Sequence, residues 1–292
     1  MWKSYIYETG DFMNSEINKL VRKTKRRRRF LLFLFVFSVA ASILFLGKIE
    51  VSIMDGQSIR YYGAGLPGYA VALIVAAECV LFFFVGAFEM AKVESILLND
   101  CDPETYFAVR TSMNRKLTTP ADIAAASAKA AFAGGDFVSC INYAMPLAND
   151  KKAEYRFASA VDIFIASFSL GDRQNMTVAF ERAKAEFAGL SSKQKSYAVA
   201  MNRLEMLYLL SGGNIEAALK IADILIPSDR TNYTVAFDNF YKGIVYRAAD
   251  EKLKAIHCFM TASEKSGKMF IKAESDRYLK EYEALQENKA QE

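Results

Sequence analysis

The sequence predicts an all-α protein: a two-helix transmembrane hairpin followed by a solenoid of helical repeats. Three observations carry that expectation. Two runs of membrane length with almost no charge lie within the first 90 residues. The rest of the chain reads as alanine-rich helical periodicity with almost no strand pattern. Turn signals recur there at intervals of 36, 42 and 36 residues.

The first run, Phe30 to Gly47, is 18 residues without a charge. At 1.5 Å rise per residue it spans about 27 Å, close to the hydrocarbon core. The second, Tyr69 to Phe88, has 20 residues and one charge. Together they hold 33 apolar residues among 38, and the remaining 254 residues have an ordinary soluble composition. The whole chain of 292 residues is 52% hydrophobic and 24% charged, with formal net charge +4. That length implies two or three structural units, and that much apolar surface excludes disorder throughout.

The charge is concentrated at one end. Residues 1–29 form a basic tail with nine basic groups against Glu8, Asp11 and Glu16. The positive-inside rule then places the N-terminus in the cytoplasm, and two crossings return the C-terminus to the same side. The expected location is the plasma membrane, multi-pass, with the lipid bilayer as one partner. The cluster KTKRRRRFLL also suits nucleic acid, anionic headgroups or a twin-arginine export signal. The Ser/Thr usual before the arginine pair is missing and a second span follows, which favours a retained anchor. Nucleic acid is not expected.

The loop 48–68 is neutral and too short for an external catalytic domain. Ile49, Val51 and Ile53 alternate with polar residues, Asp55-Gly56 is a turn pair, and Ile59 and Tyr61 alternate again, which suits a β-hairpin. Tyr61, Tyr62 and Tyr69 would sit at the outer interface.

Glu78 lies near the middle of the second span, where an ionised carboxylate is costly. Antiparallel pairing puts Ser38 at the same depth, with Ser42 one turn outward, so a Glu78–Ser38 hydrogen bond is expected. Ser38-x3-Ser42 and Ala72-x3-Ala76 offer small faces for close contact. The alternative is a proton or ion path.

Beyond the hairpin (30–90), residues 91–118 read as a helical stalk. Asn99 to Pro103 breaks it, Asp102 capping a new helix and Pro103 opening it. Thr119-Pro120 is a second capping pair. The repeats occupy 119–268, with turns at Gly134-Gly135-Asp136, Gly171-Asp172, Gly213-Asn214 and Ala249-Asp250. Residues 269–292 form a polar capping helix, with Ile271, Tyr278, Tyr282 and Leu285 spaced for one docked face.

The segment Gly243-x2-Tyr246-x8-Ala255-x3-Phe259-x2-Ala262 resembles the tetratricopeptide repeat. Cys140-x3-Ala144-x2-Leu147, Met176-x3-Phe180-x2-Ala183 and Ala218-x3-Ala222-x2-Leu225 occupy the second-helix ladder, without the first-helix glycine and tyrosine. The whole plan resembles bacterial membrane-anchored tetratricopeptide repeat proteins. The resemblance implies a curved cytoplasmic array whose first helices line a concave face that receives a partner segment. By that phase Phe237, Phe240 and Arg247, with Arg203 from the preceding unit, would face the groove; the same residues suit packing between repeats or solvent.

Catalysis is not expected. Cys79, Cys101, Cys140 and Cys258 never form C-x2-C, the single histidine is His257, and no phosphate loop, zinc-protease motif or nucleophile elbow occurs. No cofactor or metal is implied. The expected function is a membrane scaffold or adaptor whose repeats bind a protein partner, or another copy of the chain. The alternatives are an accessory subunit of a transporter or envelope-synthesis complex docking through the hairpin, and an envelope sensor.

Overall fold

The computed structural model describes residues 10–46, 48–52, 58–62, 68–112, 119–190, 195–226 and 229–290. The protein is all-α, with one short two-stranded ribbon. It divides into two compact units, Met1–Val93 and Glu94–Glu292.

In the first unit, α1 (Gly10–Leu46) runs without a break through the basic tail and the first apolar run. The ribbon follows: β1 (Lys48–Ser52) pairs antiparallel with β2 (Ser58–Tyr62), Val51 opposite Ile59. The Asp55-Gly56 turn lies outside the described residues. α2 (Gly68–Leu98) returns beside α1. The two helices meet through a Phe35–Phe82 stack with centroids 4.4 Å apart and an Arg27–Glu89 ion pair at 3.2 Å. Their other faces are covered with exposed apolar side chains such as Phe33, Phe37, Phe83 and Phe84. Among the described residues, one helix, Tyr69–Leu98, is long and apolar enough to cross a membrane, with mean hydropathy 2.5.

The second unit is a succession of antiparallel helix pairs. It opens with α3 (Pro103–Ser112), where Asp102 accepts from the Thr105 N–H at 3.1 Å, the capping contact that Asp-Pro implies. The pairs are α4 (Pro120–Ala133) with α5 (Phe137–Ala144), α6 (Ala153–Leu170) with α7 (Arg173–Gly189), α8 (Lys195–Ser211) with α9 (Ile215–Ile224), and α10 (Asn232–Ala248) with α11 (Lys252–Lys265). α12 (Phe270–Ala290) closes the unit. Thr119 and Asp122 form a reciprocal capping box on α4.

The turn within each pair is alike. Gly135, Gly171, Gly213 and Asp250 take left-handed backbone, and Asp136, Asp172 and Asn214 then cap the second helix through their side chains. In the last pair the pattern slips by one residue. Asp250 itself is left-handed at φ 57, and Glu251 takes the cap position without a side-chain bond. The conformational repeat is therefore 36, 42 and 37 residues.

The ladder residues of every second helix are buried. Cys140, Ala144, Ala183, Ala218, Ala222, Ala255, Phe259 and Ala262 have no exposed surface, and Leu147, Met176, Phe180 and Leu225 keep at most 6%. Small residues at these positions let paired helices approach, and the larger ones fill the seam with the next pair. On α12, Ile271 is fully buried but Leu285 is 57% exposed, so the docked face ends before Leu285.

The expected stalk does not stand free at its elbow. Cys101 donates its thiol to the Lys265 carbonyl, its own carbonyl accepts from the Lys268 N–H at 3.0 Å, and Lys268 Nζ reaches Asp102 Oδ2 at 2.6 Å. The elbow thus packs against the turn between α11 and α12. Phe132 of α4 likewise meets Phe237 of α10 and Phe270 of α12. The beginning and the end of the second unit touch, and aromatic side chains fill much of the space that an open solenoid leaves to a ligand.

Candidate functional site

The first helices α4, α6, α8 and α10 turn one face each toward a common interior. The residues expected to line a groove there have other duties. Phe237 is 3% exposed, packed among Phe132, Tyr233 and Tyr241. Phe240 is buried on another side of α10, against Phe259, Phe270 and Tyr278. Arg247 lies over the Tyr278 ring and pairs with Glu281 at 2.9 Å, both on α12. The expectation treated the array as open. Closure by α4 and α12 turns the two phenylalanines into core and ties Arg247 to the capping helix.

Arg203 faces the interior, but already paired. Its Nε donates to Asp238 Oδ1 at 2.6 Å and its Nη2 reaches the same oxygen, while the guanidinium lies 4.7 Å from the Phe237 centroid. Asp238 is 1% exposed, and its Oδ2 is buried without a hydrogen bond. Burial raises its pKa, with Arg203 opposing.

Beside this pair sit three groups whose polar capacity is unused. Lys129 projects from α4, Asp162 from α6 and Tyr233 from α10. Lys129 Nζ stands 5.0 Å from the Tyr233 ring centroid. Among the described residues neither the Lys129 nor the Asp162 side chain has a hydrogen bond or a contact ion pair. All three keep part of their surface open although protein crowds them. Burial raises the Asp162 carboxyl to about 7, with Lys129 opposing. Burial likewise lowers the Lys129 ammonium and raises the Tyr233 phenol. Perturbed groups gathered together are a physical mark of a site. This one offers an ammonium for an acceptor, a carboxyl for a donor and an aromatic face.

Lys129 and Asp162 were legible in principle. Each is the lone charge in an apolar stretch, AAASAKAAFA and ASAVDIFIASF. A charge there must face either solvent or a polar interior, and periodicity alone does not say which.

In the first unit, Ser38 Oγ donates to Glu78 Oε1 at 2.8 Å and Ser42 Oγ donates to the same oxygen at 2.7 Å. Oε2 is buried without a partner. Of the cysteines, Cys79 is exposed and Cys101, Cys140 and Cys258 are buried, Cys140 with its thiol pKa pushed upward by burial. His257 is exposed. Among the described residues no cluster of His, Cys, Asp or Glu could hold a metal ion.

No protein-family model, curated protein or solved structure matches this chain.

Proposed function

We propose that the protein is a two-pass membrane-anchored scaffold whose cytoplasmic tetratricopeptide-like repeats hold a segment of a protein partner at the inner face of the membrane. The observation that carries the binding role is the cluster of Lys129, Asp162 and Tyr233, partly open and without side-chain hydrogen bonds among the described residues. Water or a bound ligand meets partly open charges of this kind. A segment bearing a carboxylate for Lys129 and an N–H or hydroxyl donor for Asp162 would do so.

Three features support the rest of the reading. The exposed apolar faces of α1 and α2 suit lipid better than water. The basic flank favours a cytoplasmic N-terminus. The Gly243 to Ala262 ladder is buried, with Gly243 against the Phe259 ring, which supports the tetratricopeptide likeness. Nothing in the reading requires catalysis.

The test is cross-linked purification of the full chain from detergent-solubilised membranes, beside Lys129→Met and Asp162→Asn variants. The expected result is a protein that both variants lose while still sedimenting with membranes. An unchanged set of cross-linked proteins would overturn this cluster as the binding surface. A tag in the 53–57 loop accessible only from outside, with a C-terminal tag accessible only from inside, is expected for two crossings.

A second reading, docking on a larger membrane protein through α1 and α2, draws on the orphaned Glu78 Oε2. It predicts partners that survive both Lys129→Met and Asp162→Asn and are lost on Glu78→Leu.

A further inference from the structure

The α1 helix carries a basic face that the scaffold reading does not use. Side-chain exposure is high at Lys19, Arg22, Lys23, Arg26 and Arg29. At 100° per residue these five fall within about 120° of one another around the helix axis. The side bearing Arg27, Phe35, Ser38 and Ser42 is the one that meets α2. By the same geometry the basic arc is centred roughly 140° away from it. Arg27 has Glu89 as its ion-pair partner, whereas the other five have no carboxylate partner among the described residues.

Because α1 is one unbroken helix from Gly10 to Leu46, the stripe is held in register with the exposed Phe30, Phe33 and Phe37 that follow it. Lys19 to Arg29 covers about 15 Å of axis. If the apolar run enters the hydrocarbon, Arg26 and Arg29 lie at headgroup depth, and Lys19 to Lys23 stay within reach of the surface potential.

We propose that this face of α1 binds the headgroups of anionic phospholipids in the cytoplasmic leaflet. The inference rests on the membrane reading above. Five cations on one face, without a carboxylate partner among the described residues, complement a layer of phosphates, and continuity with the apolar face sets them at that layer. An acidic protein or a nucleic acid would meet the same charges without needing the register.

The experiment reconstitutes the purified full chain in vesicles of equal parts phosphatidylcholine and phosphatidylglycerol, re-extracts it in neutral detergent and measures both lipids that co-elute. The wild type is expected to retain phosphatidylglycerol in excess over the input ratio. The excess should fall as salt is raised, and should vanish in Arg22→Gln/Arg26→Gln/Arg29→Gln but persist when the same three positions carry lysine. Loss of roughly fivefold in apparent affinity per charge removed is the expected scale. Co-elution at the input ratio would overturn the proposal, as would a triple variant that retains the excess or nucleic acid co-eluting in place of lipid. Recovery of the chain from cells as a soluble protein would instead overturn the membrane reading on which it rests.

Discussion

Gly243 of α10 lies beneath the ring of Phe259 of α11 so closely that a Cβ at Gly243 would stand 2.7 Å from Cε1 and 2.9 Å from Cδ1. Phe259 is fully buried and stacks on Tyr278 of α12, centroids 4.6 Å apart, so the ring has little room to retreat. Gly243→Ala gains helix propensity but overpacks this seam, and should lower stability by about 1–3 kcal/mol. Thermal unfolding of the full chain in detergent measures it. Phe259→Leu in the same chain should recover part of the loss, and two strictly additive losses would refute the contact as the cause.

The Arg203–Asp238 pair predicts an asymmetry. Removing one member leaves a buried charge, so Asp238→Asn or Arg203→Met should each cost about 3–5 kcal/mol. Replacing both, as Arg203→Met with Asp238→Leu, should cost less than either single change. A double variant as unstable as the sum of the singles would mean that the pair is not the unit.

The Asp162 carboxyl predicts a pH dependence of known sign. Folding raises the Asp162 carboxyl from 3.8 to about 7, so between those values the folded state holds a proton that the unfolded chain has released. Its contribution to stability is full below about pH 4, falls as pH rises toward 7, and is constant above. Among the groups that face it, the Tyr233 phenol and the Cys140 thiol stay neutral across that window and Lys129 opposes the shift. Asp162→Asn should remove this fall, gaining on the wild type as pH rises from about 4 to about 7. Parallel curves for the two chains would refute it.

Glu78 accepts from both serines through one oxygen. Glu78→Gln keeps an acceptor there and should leave the α1–α2 pairing nearly intact, while Ser38→Ala/Ser42→Ala strips both donors and should weaken it. Disulfide trapping between cysteines placed at Leu34 and Phe82 would report the pairing. Intact pairing with a lost cellular function in Glu78→Gln would favour proton chemistry.

The elbow predicts that Asp102→Ala, which loses both the α3 cap and Lys268, destabilises the second unit by about 1–2 kcal/mol. Gly267→Ala should cost more. Its φ is 52, and a Cβ there would stand 2.7 Å from the Asp100 carbonyl oxygen. Proteolysis between α2 and α3 should quicken in both variants.

What can be read from the chain alone is what neighbouring residues decide. Left-handed turns follow from Gly135, Gly171 and Gly213 because glycine enters that region without strain, and the polar residue after each is placed to cap the next helix. The slip at Asp250 is harder to read, since aspartate can serve either as the turn or as the cap. Glu78 and Ser38 were legible together because antiparallel pairing of the two apolar runs, 18 and 20 residues long, leaves one register for the carboxyl in the middle of the second. Closure of the second unit was not legible. Cys101 and Lys265 are separated by 164 residues, and no local pattern encodes their contact. That contact, with Phe132 meeting Phe237 and Phe270, decides that Phe237 and Phe240 belong to the core. Helical periodicity specifies which residues share a face; only the neighbours brought in by the fold determine whether that face meets protein, water or a ligand.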